Sequence, residues 1–296
     1  MSKPCDVEGL KTRIRNACAI RDLVGCSNVK TALSGLLQIP TIPQYYDCLL
    51  EELQSTSPSM ALLEGLVLND PGLTAKVLQI SNSAFFGPSK SICNPIEALR
   101  NIGVEGLRGL TMNAKVISRC ELSENVLSLP ALVAHCHGVT DILERIFTIE
   151  PFSEEEKCQA RTAGILHEIG RILLATLLPD LYAEVRNLID KQGFTQEHAE
   201  YTVFGVTHPE IGAYLLALWG LPKPIVDAVA FHHNPEQSDQ NTFNVLSALH
   251  VANVLEDELR PRSRFESKLE LDTNYMGRIG KERSVTVWMS KCGLNS

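Results

Sequence analysis

GILHEIG (Gly164–Gly170), THPEIGAYLLALWGLP (Thr207–Pro222) and FHHNP (Phe231–Pro235) carry most of the candidate ligands and the strongest helix signals of this 296-residue chain. Counting His198, five of its eight histidines lie between Gly164 and His233: His167, His198, His208, His232 and His233. His135 and His137 precede them by about one helix length, and His250 follows. Imidazoles carried on helices, with Glu168 beside one of them, are what a buried metal site in a helical bundle requires. The helix boundaries around them are marked by caps. Ser153 with Glu156 and Thr207 with Glu210 have capping-box spacing, Gly193 and Gly220 are stops, and Pro179, Pro222 and Pro235 follow helix ends. On this pattern SEEEKCQARTAGILHEIGRILLATLLP reads as one continuous helix, and Pro224 opens a short helix that delivers His232 and His233 at its C-terminal end.

Working outward, the N-terminal half is helical too. Pro40 and Pro43 bracket a short extended entry, after which Tyr46, Leu49, Leu50 and Leu53 form a buried stripe. Ser57 with Pro58, and Asp70 with Pro71, pair an N-cap with a first-turn proline and predict two further helices. SNSAFFGPSKSI reads as a loop with Phe85 and Phe86 pinned to the core. Beyond it Pro95 opens a helix, Gly103 stops it, and Leu107, Leu110, Met112 and Val116 form the stripe of the next. Leu10, Ile14, Ala17 and Ile20 suggest one amphipathic helix near the N-terminus. No run alternates with period two for long enough to specify a sheet, so the fold class is all-α.

Composition limits the function classes. With 44% hydrophobic and 21% charged residues the chain is globular, and a net charge of -8 argues against a broad nucleic-acid surface. Its nine cysteines include no CxxC pair, which points to reduced thiols in a cytoplasm, and no apolar run has the length of a membrane span. GxxxxGK[ST], GxGxxG and GxSxG motifs are absent.

IPTIPQ, NDPGLTAKVLQISNSAFFG, IEALRNIGVEGLRGL, GILHEIGRILL, FGVTHPEIGAYLLALWGLPKPIVDAVAFHH and LSALHVANVLE together resemble the HDOD domain, the HD-related output domain of bacterial signalling proteins. The resemblance runs from about Thr31 to Glu256, and the tail YMGRIGKERSVTVW is similar to the family's C-terminal helices. It implies a multi-helical HD-like bundle with an N-terminal helical subdomain. The implied organisation is an extension over 1–30, the HDOD domain over 31–260 with halves at about 31–125 and 126–260, and a helical tail over 261–296. The residues outside it are too few for a separate cyclase, phosphodiesterase or receiver domain.

The HD hydrolase pattern, carried onto this chain, falls on His137, on His167 with Glu168, and on Asn253, with His208, His232 and His233 as the extra set. Glu168 stands where the pattern has Asp and reaches farther by roughly 1.5 Å. Asn253 replaces a second Asp by a neutral amide. The resemblance therefore implies a regulatory module with a degenerate pocket that needs no cofactor, and that binds a protein partner or a small ligand such as a nucleotide. The alternative is a phosphohydrolase dependent on divalent Fe, Mn or Zn and acting on a nucleotide or phosphodiester, with Glu168 at its centre. For His135 and His198 a hydrogen-bonded core role is the simpler expectation, and His250 with Asn253, three apart on one face, can close a polar pair. A network of buried neutral imidazoles would in addition weaken the fold at low pH.

Overall fold

The computed structural model describes residues 39–83, 86, 91–260 and 268–293. The expected helix around Leu10–Ile20 and the placement of Phe85 lie outside these residues. The regular structure of the described chain is helical apart from two three-residue strands. Strand β1 (Ile39–Thr41) pairs in parallel with β2 (Ile117–Arg119), Ile39 opposite Ile117. Between them run α1 (Pro43–Gln54), α2 (Met60–Asn69), α3 (Pro71–Ser81) and α4 (Pro95–Arg108).

Local chemistry accounts for these boundaries. Asp70 accepts from the Leu73 N–H at the start of α3, and Asn94 accepts from Ile96 and Glu97 at the start of α4. The cap of α2 is Ser59, so this helix begins after the Ser57-Pro58 pair that the sequence suggested. Gly103 does interrupt its helix, at φ 71°, a conformation that costs a side chain dearly. The expected stripe beyond it is only half right. Leu107 is buried, but the helix widens into a π-turn at Gly109–Asn113 before β2, and Met112 is left 40% exposed. Phe86 packs against the core as expected.

The second half contains α5 (Leu129–Phe147), α6 (Glu154–Leu166), α7 (Ile169–Leu177), α8 (Pro179–Gln192), α9 (Gln196–Phe204), α10 (His208–Leu218), α11 (Lys223–Phe231) and α12 (Val245–Leu259). Two short helices follow, α13 (Thr273–Arg278) and α14 (Val285–Lys291). Both capping boxes form: the N–H of Ser153 donates to Glu156, and that of Thr207 to Glu210. The single long helix expected over residues 153–178 is instead two, broken at His167–Glu168. Its apolar period continues through the break, which is why the pattern hides it. Helices α5, α6, α11 and α12 pack on one another, and α10 packs on α7 and α11. His167, Glu168, His208, His232 and His233 thus converge on the middle of this half. Among the described residues no helix is long and apolar enough to cross a membrane.

Candidate metal and ligand pocket

The break between α6 and α7 turns His167 and Glu168 out of the helical ladder, and both are buried. Glycine at 170 lets the start of α10 come close enough to face them, because a methyl group there would collide with the carbonyl oxygen of His208. His208 is the first residue of α10, and His232 and His233 follow the last turn of α11. Asn253 lies on α12, buried.

His137 does not join them. It is half-buried on α5, and the ring that enters the cluster from this helix is His135, two residues earlier. His135, Val139, Ile142 and Ile146 share the buried face, whereas His137 falls in line with Thr140 and the exposed Glu144. That spacing was readable from the chain. His198 is exposed and stacks on Phe194 at a centroid distance of 4.3 Å, so it is not a core residue. Nor do His250 and Asn253 pair. His250 Nδ1 donates to the His232 carbonyl at 2.8 Å and its Nε2 accepts from the Asp272 N–H at 3.1 Å, while Asn253 Oδ1 has no hydrogen-bond partner among the described residues.

Where the outer nitrogen is bonded, it fixes the tautomer of the ring. His167 Nδ1 donates to Gly164 O and His232 Nδ1 to Val229 O, both at 2.8 Å; His208 Nδ1 donates to Glu200 at 2.7 Å and His135 Nδ1 to Glu256. A carbonyl or carboxylate only accepts, so in the neutral ring Nε2 keeps its lone pair and points inward. Two of these lone pairs face each other, with His135 Nε2 3.1 Å from His167 Nε2, and buried His232 Nε2 has no partner among the described residues. His208 Nε2 lies 3.3 Å from Nε2 of His233, the one ring of the group whose tautomer no outer acceptor fixes among the described residues. Imidazoles whose Nδ1–H is committed to an outer acceptor, with Nε2 directed at a common centre, have the arrangement of metal ligands.

The donor set fits a cation. Ligand atoms of Glu168, His208, His232 and His233 all lie within 4.8 Å of one another, and those of His135, His167 and Glu168 likewise. Two nitrogens bound to one ion at ~2.0 Å in a tetrahedron are about 3.3 Å apart, the separation seen between His208 and His233. Negative charge in the donor set is scarce. Glu168 is the one carboxylate in either group among the described residues, and its Oε2 already accepts from Arg171 at 3.0 Å. Its Oε1 is left facing His167 and His208 at 3.7 and 3.6 Å. The cluster lines a cavity of about 380 Å³ that Arg171, Asn253 and Arg260 also border.

Burial governs the protonation states. It would raise the carboxyl of Glu168, but Arg171 and the surrounding imidazoles hold it well below the usual carboxylate range. Desolvation lowers His167 to about 3 and, with neighbouring imidazoles, takes His232 and His233 well below their ordinary value. These rings are neutral near pH 7 and have no proton to lose to a metal. His208 is the exception: burial opposes its charge, yet Glu200 and Glu168 together raise it. Sequence reasoning missed Arg171, Glu200 and Glu256. Glu256 stands three residues after Asn253 on α12, a helical spacing that signals it; nothing in the sequence marks Glu200 as the partner of His208.

Comparison with known proteins agrees with the fold. The chain is 23% identical over 228 residues to an uncharacterized protein of Treponema pallidum, covering 76% of this chain and 44% of that one. It is 29% identical over 157 residues to ribonuclease Y of Deinococcus radiodurans, covering 51% of this chain and 20% of that protein. The chain thus spans less than half the length of these curated relatives. Among solved structures, a virulence factor of Campylobacter jejuni superposes with TM-score 0.64 at 15% identity, over 91% of this chain and 92% of that one. The MmoQ response regulator of Methylococcus capsulatus superposes with TM-score 0.60 at 21% identity, over 88% and 95%. The model of the HDOD domain matches residues 39–235, the segment that contains the imidazole cluster up to His233, and the chain belongs to the HDOD domain family.

Proposed function

We propose that this chain is a regulatory HDOD module whose pocket takes up a single divalent cation, with or without a small anionic ligand, and passes that occupancy to a protein partner without turning over a substrate. The observation that carries this reading is the state of the two positions where the HD pattern places carboxylates. Glu168 is committed through one oxygen to Arg171, and Asn253 offers a neutral oxygen. His208, His232 and His233 with Glu168 would hold the cation, and Glu200 positions His208 by fixing its tautomer. Two dications and a substrate phosphate would need more negative charge than one paired carboxylate supplies.

A second reading, a metal-dependent phosphohydrolase, is favoured by a specific feature. The two ligand groups share Glu168, which resembles a pair of adjacent metal positions. A divalent cation bound there would polarise a phosphoryl oxygen. The ribonuclease Y relatives point the same way, through a match that covers about a fifth of their length.

Titration calorimetry and elemental analysis after anaerobic loading with Mn, Fe or Zn separate the two. The regulatory reading expects about one ion per chain, an affinity lowered about 100-fold or more in His208→Ala, and no hydrolysis of bis(p-nitrophenyl) phosphate. Two ions per chain with hydrolysis abolished by His167→Ala would establish the phosphohydrolase instead.

A further inference from the structure

Outside the pocket, the segment before α4 brings together two side chains that are far apart in the sequence. Cys93 and Cys158 have their sulfurs 3.2 Å apart, and both are half-buried thiols. A disulfide needs about 2.05 Å, so roughly 1 Å of approach closes the bond. We infer that Cys93 and Cys158 form a reversible oxidative modification site, at which a peroxide converts the dithiol to a disulfide that ties the segment entering α4 to helix α6.

The backbone around Cys93 holds it against α6. Ile92 is clamped on both sides by Asn82, whose Nδ2 donates to Ile92 O at 2.9 Å and whose Oδ1 accepts from Ile92 N at 2.8 Å. Asn94 caps α4 on the other side. The carbonyl of Cys93 itself accepts from the hydroxyl of Thr162 at 2.8 Å. Thr162 lies one helical turn from Cys158, on the same face of α6. Three fixed points around one residue keep the two sulfurs apposed. The hydrogen bond between the two sulfurs favours a thiolate within the pair, and we assign the attack to Cys93 and the resolution to Cys158.

The chemistry balances with hydrogen peroxide as the oxidant. The Cys93 thiolate attacks one peroxide oxygen, the O–O bond breaks, and the departing hydroxide takes a proton to become water, leaving a sulfenic acid. The sulfur of Cys158 then attacks that of Cys93. The S–O bond breaks, the hydroxide leaves as a second water with the Cys158 proton, and the disulfide forms. Two electrons pass from the two sulfurs to one peroxide.

The test uses the full chain, reduced, desalted, treated with hydrogen peroxide and digested without reductant for peptide mapping by mass spectrometry. The expected result is one linkage, Cys93 to Cys158, appearing ahead of any other and reversed by dithiothreitol. Cys158→Ser should accumulate a dimedone-reactive sulfenic acid at Cys93, and Cys93→Ser should form no linkage to Cys158. Circular dichroism checks that both variants fold, and the wild-type map decides the question without them. The inference is overturned by sulfinic acid at Cys93 with no linkage, by linkages scattered over the other cysteines, or by thiols left intact under exposures that oxidise free cysteine.

Discussion

Two pairs of a buried acid and a buried amide, one in each half of the molecule, are treated in opposite ways. In the N-terminal half Asp70 accepts from the N–H groups of Ile42 and Leu73, both at 2.7 Å, and the two ends of the Asn82 amide close on Ile92. In the second half Glu168 is held through one oxygen, and the amide oxygen of Asn253 faces no donor among the described residues. The first pair fixes chain crossings, joining β1 to α3 and α3 to the approach of α4. The second leaves acceptors directed into a cavity. Since a buried polar atom without a partner costs about 1–3 kcal/mol, the difference separates polar burial that stabilises from polar burial that waits for a ligand.

The sharpest way to break this comparison is Asp70→Ala. Two buried backbone donors lose their acceptor and α3 loses its cap, so stability should fall by about 2–4 kcal/mol with cation affinity unchanged. Urea denaturation and calorimetry on the same variant measure both. A midpoint equal to wild type would show that Asp70 is no more than a bystander.

Next in size is the response of the metal-free protein to pH. His167, His232, His233 and His250 have folded pKa values lowered chiefly by burial, so below about 6.5 the unfolded chain binds protons that the folded one does not. Their contribution is complete above that pH and is lost as it falls. Two groups act in the opposite sense. Burial raises Asp70 to about 7 despite its backbone donors, and Glu200 with Glu168 raises His208 against its own burial. Four groups outweigh two, and stability should drop by roughly 2 kcal/mol between pH 6.5 and 5.5. Denaturation curves at pH 8, 6.5 and 5.5 read the slope. A flat profile would mean that the rings are open to water.

The smallest effect concerns Asn253→Asp, which adds the charge that the pocket lacks. Cation affinity should rise about tenfold, or ~1.4 kcal/mol, measured by titration calorimetry. The same change should cost the metal-free protein stability, because a second buried carboxylate has no Arg171 of its own. Unchanged affinity would place Asn253 outside the reach of the ion.

The same contrast explains what could be read from the chain. Ser153 with Glu156, Thr207 with Glu210 and Asp70 with Pro71 announce helix starts because caps act between near neighbours. Glu168 and its imidazoles were legible through family motifs. The break at His167–Glu168 was not, because Leu166, Ile169 and Ile172 carry the apolar period across it and only the packing of α7 against α10 reveals the turn. His135, and not His137, lies on the buried stripe with Val139, Ile142 and Ile146, a period present in the sequence. Glu200 and the Cys93–Cys158 contact depend on tertiary approach alone, for which a single sequence has no periodic signature.

Gly170 has a consequence for how variation in this protein would be interpreted. A side chain there would strike the backbone of His208, so chains that keep this helix crossing admit only glycine, whatever ion or ligand they have gained or lost. A survey of sequence drift would find Gly170 as immobile as the histidines around it. Its invariance would record a distance between two backbones and would persist in a lineage that had abandoned the metal altogether, whereas His232, freed of its ligand, would be expected to wander.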